Sequence, residues 1–477
     1  MNRQPWFLLV GIVLLLGGCT LAPEYTRPEA PIPAQWPQGA AYRNTQSMPG
    51  QPTVPEIKWQ DFFADKALKK IIETALDNNL DLRLAALNVE RAQALYGVQR
   101  AELFPAINAQ GSESKQRTPA DLESTGESTN TSRYDVNLGV ASWEIDFFGR
   151  IRSLEEQALQ EYLASEQGRR SAQIALVAEV ARIYLTLAAD RSRLDLARST
   201  LLSQEANYRL IKRRFELGLG TELDLRQAQT RVDTARRDIP RFTQFVAQDQ
   251  NALNLLAGAP VPEGLLPMDL KSVVPPEELS PGLSSEVLLN RPDIMAAEHR
   301  LKGAYAFIGA ARAAFFPRIS LTAAFGTASD ELSGLFSAGS AAWNFTPVIV
   351  LPIFDARIWA ALRVSKADRD IILTQYERTI QTAFREVADS LAVQGTINQQ
   401  VAAQQSLVNA TEETYRLSNI RYEKGLDNYL SVLVAQQSLY AQQQALIELR
   451  LARLANRVSL YAVLGGGGGP AEANQGG

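Results

Sequence analysis

Residues 309–319 read GAARAAFFPRI, and this stretch decides the fold. It begins with good helix formers and ends at Pro317, which has no backbone N–H and disfavours a helical conformation in the residue before it. Apolar residues then alternate with others, at Ile319, Leu321, Ala323 and Phe325. This spacing of two is typical of a strand. The sequence therefore predicts a helix that ends at the two phenylalanines and a strand that begins immediately after the proline.

The same arrangement occurs earlier in the chain, where residues 97–107 read GVQRAELFPAI. The two stretches align at an offset of 212 positions, and further matches follow at an offset of 207. The second set pairs Gly218 with Gly425, and residues 208–210 with residues 415–417, both of which read YRL. The chain is therefore predicted to be an internal duplication. Each half has the order helix, strand, polar loop, strand, long helix, tight turn and helix.

The first residues are typical of a targeting segment rather than of the fold. Arg3 precedes an apolar stretch from Trp6 to Leu16, and LGGC occupies residues 16–19. This pattern resembles a bacterial lipobox, which implies cleavage before Cys19 and its modification with S-diacylglycerol and N-palmitoyl groups. An ordinary signal peptide followed by an incidental cysteine is the alternative. Thr20, in place of an aspartate, implies sorting to the outer membrane of a Gram-negative bacterium.

The duplication sets the predicted boundaries. They are a signal peptide (1–18), a lipid-anchored extended segment (19–60), a first repeat (61–258) with a β-hairpin at 106–146, a linker (259–285), a second repeat (286–464) with a β-hairpin at 317–353, and a flexible glycine-rich tail (465–477). In the first hairpin we predict a strand over about residues 106–112 and a polar loop over residues 112–132. The next strand has apolar residues on one face, at Tyr134, Val136, Leu138 and Val140.

Long helices occupy the rest of each half. Neither proline nor a turn cluster interrupts residues 150–212, which at 1.5 Å per residue predicts a helix about 90 Å long. In the C-terminal helix, spacings of four and three alternate between seam residues from Leu433 to Tyr461. This heptad pattern is typical of a coiled coil.

The composition excludes several kinds of site. With one cysteine and one histidine, the chain has too few such residues for disulfide frameworks, zinc clusters or Ser-His-Asp and Cys-His triads. Its 48 basic and 52 acidic residues leave a net charge of −4, and no dense basic stripe indicates nucleic-acid binding. We therefore predict no enzyme, no cofactor, no metal site and no nucleic-acid partner. His299 is interpreted as an ordinary surface or core residue.

The strand count determines how the chain could cross a membrane. After Cys19, no stretch of 18 or more residues lacks charged and polar side chains, so we predict no transmembrane helix in the mature chain. Four strands cannot close a barrel, and an open edge cannot face lipid because its N–H and C=O groups would be unsatisfied. Two chains would give eight strands around a filled interior, whereas three would give twelve around water. A homotrimer is therefore the smallest assembly with a closed wall and a pore.

Under this hypothesis, the Phe-Pro pairs mark the membrane interface, where aromatic residues are enriched. The alternative is that both pairs simply end helices in a soluble α+β protein.

Several motifs together resemble the TolC family of outer-membrane efflux ducts, in particular its lipid-anchored OprM-like branch. They are the LGGC segment, the paired RAELFP and RAAFFP segments, WEIDFFGR (143–150), RPDI (291–294) and the paired glycine turns. The resemblance covers nearly the whole mature chain. It implies a mainly α-helical fold with a membrane β-barrel. Three chains would form a twelve-stranded barrel, continuous with a coiled-coil helical barrel in the periplasm and surrounded by an equatorial belt.

The resemblance also implies where function lies. The helix pairs reverse at residues 213–224 and 420–430, and these turns would constrict the pore and dock a periplasmic adaptor (membrane fusion) protein. The gate candidates are Asp427, Tyr429, Leu430, Asp224 and Glu222. The adaptor-contact candidates are Gly218, Leu219, Thr221, Gly425 and Leu426.

For the carboxylates, two interpretations compete. Related by threefold symmetry, they would form acidic rings in a pore; alternatively, each is a helix N-terminal acid stabilised by the macrodipole. The sequence leaves both open for Glu222 and Asp224 and favours the gate for Asp427. At the extracellular mouth, Leu335 and Phe336 are candidates for a constriction, although packing within their loop explains them equally well.

The resulting hypothesis is a passive trimeric exit duct of a tripartite multidrug efflux pump. It would sit in outer-membrane lipid, extend helices into the periplasm, and open when the adaptor and an inner-membrane RND-type pump engage its tip. The alternative is a lipid-anchored coiled-coil spacer or scaffold protein without a pore, which would leave the alternating segments unexplained. An envelope enzyme is a third class, for which the sequence offers no catalytic constellation.

Overall fold

The structure of the protein, a computed structural model, describes residues 20–42, 54–124, 126–279 and 284–467. Its α-helices are α1 (Trp59–Phe62), α2 (Lys66–Asn78), α3 (Leu80–Ala101), α4 (Arg150–Glu216), α5 (Glu222–Ala257), α6 (Pro292–Ala313), α7 (Ala356–Glu423) and α8 (Tyr429–Val463). Its strands are β1 (Ile107–Thr118), β2 (Thr129–Ile145), β3 (Arg318–Ser329) and β4 (Ala341–Val350).

The chain forms two compact units. The strand unit comprises the described residues up to 29 together with residues 88–165 and 296–376. The helix unit comprises the described parts of residues 30–87, 166–295 and 377–467.

The strand unit contains a four-stranded antiparallel sheet in the order β1-β2-β3-β4. β1 pairs with β2 along its whole length, and β3 pairs with β4 in the same way within the second repeat. Between the two hairpins, β2 pairs with β3 from Tyr134–Ser329 to Ile145–Ile319, with a β-bulge after Val140. The hairpins of the two repeats are thus joined through their inner strands, and β1 and β4 form the edges of this sheet.

One face of the sheet is mostly apolar along β2, β3 and β4 and at the start of β1. Leu138 pairs with Phe325, which pairs with Trp343, and residues paired directly across strands point to the same side. The same face carries Ile107, Val136, Val140, Leu321, Phe345 and Ile349. Most of these large side chains are exposed, Trp343 to 76%. The opposite face is mostly small or polar, with Asn108, Asp135, Asn137, Ser320, Thr322 and Asn344.

The first hairpin is longer than the sequence predicts. β1 continues to Thr118 and β2 begins at Thr129, so the polar loop predicted over residues 112–132 was wrong at both ends. Polar side chains such as Glu113 and Lys115 interrupt the alternation of apolar residues from which a strand is predicted. Strand pairing satisfies backbone N–H and C=O groups whatever the side chains are, and β preference depends strongly on such context.

A carboxylate joins three elements of the strand unit. Arg150, at the start of α4, donates to both oxygens of Glu144 at 2.8 and 2.9 Å. Arg318, at the start of β3, donates to the same carboxylate at 2.7 Å. Glu144 lies next to the end of β2 and its side chain is 13% exposed, so it fixes the β2–α4 turn and the start of β3 at one point.

Aromatic residues form part of the core of the helix unit. Phe62 stacks on Tyr461 with ring centroids 4.3 Å apart, and the Tyr461 hydroxyl donates to the Ile57 carbonyl at 3.0 Å. The turn after α8 packs here too, because the Gly466 N–H donates to the Tyr461 carbonyl at 2.9 Å. The first residues of the predicted flexible tail therefore form an ordered turn, while residues 468–477 lie outside the described residues.

Among the described residues, one helix, α4, is long and apolar enough to cross a membrane by length and composition alone. Half of its most apolar window is buried inside the structure, and a buried core helix passes the same test. The sequence prediction, which considered only uncharged stretches, did not single out this segment.

We expect Glu144→Gln to destabilise the protein by about 2 kcal/mol, because two guanidinium groups lose a charged, largely buried partner. The measurement is the midpoint of thermal unfolding by circular dichroism. Glu413→Gln is the matched control, since it breaks an exposed ion pair with Arg416 on the surface of α7 and should leave the midpoint almost unchanged. Equal effects of the two substitutions would contradict a joining role for Glu144.

Candidate functional site

The long helices α4 and α7 end in turns of the same geometry. Gly218 and Gly425 both adopt φ = +72°, a left-handed conformation that glycine adopts without steric cost. In the first turn, the Leu219 N–H donates to the Arg214 carbonyl at 2.8 Å and the Gly218 N–H to the Phe215 carbonyl at 2.9 Å. The second turn repeats this pair of bonds at 2.9 and 3.0 Å. Both are Schellman motifs, which satisfy the last carbonyls of a helix.

After the first turn, Thr221 caps α5. Its hydroxyl accepts from the Asp224 N–H at 3.1 Å, and the Thr221 N–H donates to the Asp224 carboxylate at 3.3 Å. This reciprocal capping box satisfies two N–H groups at the helix start. Glu222 accepts from Arg226, one turn along α5, at 3.2 Å. For Glu222 and Asp224 the geometry therefore favours the helix-start interpretation that the sequence left open beside a gate role.

After the second turn, an ion pair takes the place of the capping box. Asn428 caps α8 by accepting from the Ser431 N–H at 3.2 Å, and Asp427 lies just before it. The Asp427 carboxylate is paired with Arg421 in the last turn of α7. This hydrogen-bonded guanidinium lowers the pKa of Asp427. Asp427 is thus ionised, and its ion pair with Arg421 holds the two ends of the second turn together.

Tyr429, a predicted gate residue, is buried behind these turns. It packs in one apolar cluster with Ile211, Ala228, Val432 and Leu433, and only 2% of it is exposed. Burial raises the pKa of its hydroxyl, which has no hydrogen-bond partner among the described residues. In the single chain Tyr429 offers no surface to a passing solute, so its contribution to a gate would come from packing.

Three residues that the sequence analysis did not assign to the site connect the two helix pairs. The Arg214 guanidinium lies over the Tyr422 ring at 4.9 Å, a cation–π contact. Tyr422 in turn contacts Tyr429 with ring centroids 5.2 Å apart, and Tyr415 packs against the same cluster. The repeat alignment pairs Arg214 with Arg421. The alignment alone does not show that Arg214 contacts an aromatic ring whereas Arg421 contacts a carboxylate.

Both turns carry exposed leucines among charged side chains. Leu219 and Leu223 beside the first turn, and Leu426 and Leu430 beside the second, are each more than half exposed. A groove of about 520 Å³ opens next to the second turn. It is lined by small polar and apolar side chains of α7 and α8 together with the cap residue: Thr411, Thr414, Ser418, Asn428, Leu430, Ser431, Val434, Ala435 and Ser438. Of the predicted contact residues, Leu219 and Leu426 thus present side chains, whereas Gly218, Gly425 and Thr221 shape the turns.

The remaining predicted residues lie elsewhere. In the strand unit, Leu335 is buried and Phe336 is 77% exposed, so packing within the loop accounts for Leu335, and Phe336 remains the candidate for the mouth. Cys19 lies outside the described residues. Within the described ranges, no group of three or more His, Cys, Asp or Glu residues is arranged to hold a metal ion.

Comparison with known proteins places this arrangement in context. Residues 71–259 and 283–466, one segment in each half of the chain, match the family described as outer membrane efflux protein. The chain is 50% identical over 457 residues to the probable efflux pump outer membrane protein TtgC of Pseudomonas putida, covering 95% of this chain and 93% of that protein.

Two solved structures are also similar. A membrane protein from Pseudomonas aeruginosa is 42% identical, with a TM-score of 0.87, over 94% of this chain and 100% of that one. The open state of the MtrE outer membrane channel of Neisseria gonorrhoeae is 37% identical, with a TM-score of 0.84, over 94% of this chain and 98% of that one.

We expect Gly425→Ala to destabilise the helix unit by about 1 kcal/mol, because a Cβ at φ = +72° meets its own backbone. No other atom lies within 4 Å of the added carbon, so the cost is conformational. Gly168→Ala is the matched control, since Gly168 lies inside α4 with equally open surroundings and should stabilise by about 0.5–1 kcal/mol. Midpoints of denaturant unfolding measure both effects, and effects of the same sign would rule out the conformational explanation.

Proposed function

Because the chain belongs to the outer membrane efflux protein family, we propose that three copies form an exit duct. A periplasmic adaptor and an inner-membrane pump open this duct at the two turns that contain Gly218 and Gly425, which we call the tip turns. Family membership confirms the predicted fold class, a mainly α-helical chain that contributes four strands to a trimeric membrane β-barrel. It also confirms the predicted role: the chain is an efflux channel of the outer membrane and not an enzyme. The alternative of a spacer protein without a pore gains no support.

The observation that carries the trimeric duct is the sheet with one exposed apolar face and two open edges. The face with Leu138, Phe325 and Trp343 has the composition of a lipid-facing wall, and the opposite, polar face has that of a wet lumen. In lipid, the unpaired backbone groups along β1 and β4 would each cost several kcal/mol. Pairing β1 of one copy with β4 of the next satisfies them. Three copies give twelve strands, enough to enclose water.

The tip turns support the proposed adaptor contact. Exposed leucines such as Leu219 and Leu426 would lose apolar surface to a partner, which stabilises association. The groove between α7 and α8 is lined by small side chains such as Ala435 and Ser438, and small residues let another helix approach closely. We assign the adaptor's helical hairpin to this surface. An RND-type inner-membrane pump follows from the family resemblance, as does lipidation of Cys19 with S-diacylglycerol and N-palmitoyl groups.

We assign the gate to the second turn and the ion pair that closes it. Threefold symmetry would place three Asp427 carboxylates at the tip, each already paired with Arg421 of its own chain. The pair connects the last turn of α7 to the residue just before the cap of α8. Loss of this ion pair would let the turn move outward, which destabilises the closed state of the gate.

The duct makes a direct physical test possible. We expect the purified protein to migrate as a heat-sensitive trimer in denaturing gels and to produce discrete single-channel currents in planar bilayers. These properties follow from a shared twelve-stranded wall around water. Monomers without conductance would contradict the duct, and trimers without conductance would contradict the pore while leaving the assembly intact.

For the gate, we expect Asp427→Ala to raise the basal single-channel conductance several-fold, because the second turn loses its closing ion pair. Arg421→Ala should act in the same direction, since it removes the other partner. Glu413→Ala is the control: it also removes one acidic residue, but the exposed pair of Glu413 with Arg416 lies within α7 and does not connect it to the turn. Conductance unchanged in both gate variants would remove the pair from the gate.

A further inference from the structure

A cavity of about 720 Å³ lies in the helix unit, bordered by the linker that joins the two repeats. Its walls come from α4, α7, α8 and residues 269–275 of the linker. All four segments belong to the same compact unit. Cavities of about 300–1,000 Å³ are typical of small-molecule sites, which often lie between the helices of a bundle. We call this space the linker cavity.

The walls of the linker cavity are fastened to one another. Next to α4, the Leu270 N–H donates to the Ser192 hydroxyl at 2.9 Å. Next to α8, Arg457 donates to a carbonyl of the linker at 2.8 Å. Arg450 of α8 donates to Gln405 of α7 at 2.8 Å. The cavity is therefore shaped by bonds within the chain, and an occupant would not have to order its walls on binding.

Part of the wall is apolar. Leu270 and Val273 of the linker, Val408 of α7, and Leu446 and Leu454 of α8 all line the cavity and are buried. An apolar group placed against these side chains would leave water, which is favourable. The composition of this wall therefore indicates an occupant with an apolar body.

The rest of the wall carries positive charge. Arg453 of α8 is half-buried, and Lys271 of the linker is exposed at the cavity. Neither makes a hydrogen bond or an ion pair with another residue in the described part of the chain. Arg450 also lines the cavity, with Gln405 as its neutral partner. Two cations are thus available to a ligand.

Two carboxylates line the cavity as well, but both have partners within the chain. Asp269 accepts from the Ser272 N–H at 2.7 Å. Asp195 lies 3.6 Å from Arg198, which is outside the cavity. The charges without partners are therefore positive, and they favour an anion over a cation.

The basic side chains of α8 are specific to the second repeat. The alignment at an offset of 207 places Thr243 opposite Arg450 and Val246 opposite Arg453. The corresponding helix of the first repeat, α5, thus forms without cations at these positions. The repeated helical framework does not require Arg450 and Arg453, so their charge is free to serve the cavity.

We propose that the linker cavity binds a small organic anion, a carboxylate attached to an apolar body. The planar guanidinium of Arg453 can donate two parallel hydrogen bonds to a carboxylate, and Lys271 adds a second positive charge. The wall around Leu446 and Leu454 would cover the apolar body. A bound anion would connect α4 of the first repeat with α7 and α8 of the second. The proposal goes beyond the exit duct and does not depend on the trimer or the pore.

The first experiment compares two ligands of the same shape. One is 2-naphthoate, which is an anion at neutral pH, and the other is 2-naphthamide, which is uncharged. Isothermal titration calorimetry of the full-length protein in lipid nanodiscs, with empty nanodiscs subtracted, measures both affinities. We expect saturable binding of the naphthoate and about tenfold weaker binding of the naphthamide, which cannot form the charge-assisted bonds. Equal affinities, or no saturable binding of the naphthoate, would overturn the proposal.

Substitutions then locate the anion site. Arg453→Gln should weaken naphthoate binding about tenfold, and Lys271→Gln should weaken it several-fold. Arg453→Lys keeps the charge but loses the planar fork, so its affinity should lie between those of the parent and Arg453→Gln. Arg385→Gln is the matched control, since Arg385 is an exposed arginine of α7 that does not line the cavity. Parent affinity in Arg453→Gln, or an equal loss in Arg385→Gln, would refute the assignment.

Thermal unfolding followed by circular dichroism separates loss of the site from loss of the fold. Saturating naphthoate should raise the midpoint of the parent by a few degrees, because a ligand that binds only the folded protein stabilises it. Arg453→Gln should keep the parent midpoint without ligand and lose the ligand-induced shift. A shift retained in this variant would contradict the role of Arg453. Single-channel conductance tests the duct separately, so a protein that conducts without binding naphthoate would overturn only the anion site.

Discussion

The open edges of a four-stranded sheet set the requirement on which the rest of this protein depends. β1 and β4 each pair with one neighbour, while the face around Phe325 is exposed and apolar. Hydrocarbon supplies no partner for the remaining backbone groups. Neighbouring copies can supply them, and a wall shared in this way encloses water. Three features of the assembly follow from this requirement. They are a water-filled lumen, threefold symmetry, and three copies of each tip turn around the symmetry axis.

The internal duplication explains how one chain contributes its part of this shared wall. Each half supplies a hairpin and a pair of long helices, and β2 and β3 join the two hairpins within the chain. Glu144 ties the end of one hairpin to the start of the other through Arg318. The halves then diverged where three-dimensional surroundings differ. A Cβ at Gly309 would meet the Ala22 backbone, whereas a Cβ at Gly97 would meet open space. Asp427 pairs with Arg421 across its turn, whereas Asp224 completes a capping box.

Much of the fold was predictable because it depends on local patterns. The Phe-Pro stops, the spacing of two in β2 and the glycines at the tip turns each act through the backbone of a few neighbouring residues. The predicted end of β1 near Ser112 was wrong because the rest of this strand does not depend on a local pattern. Residues after Ser112 are polar, and their strand conformation comes from pairing with β2, which no local pattern contains. In the candidate site, the sequence found the turns but not the cluster behind them, because Arg214 and Tyr422 meet only when two distant helix pairs pack together.

The sequence by itself determined the duplication, the places where helices change to strands, and the positions of the two tip turns. It did so because proline, glycine and alternating apolar residues restrict the backbone wherever they occur. The tertiary structure alone decided which charged groups pair and which side chains are buried. Tyr429 is a core residue, Asp427 is the partner of Arg421 and Glu298 is the partner of Arg27. Burial and ion pairing depend on distances between residues far apart in the chain, and only the folded chain sets those distances.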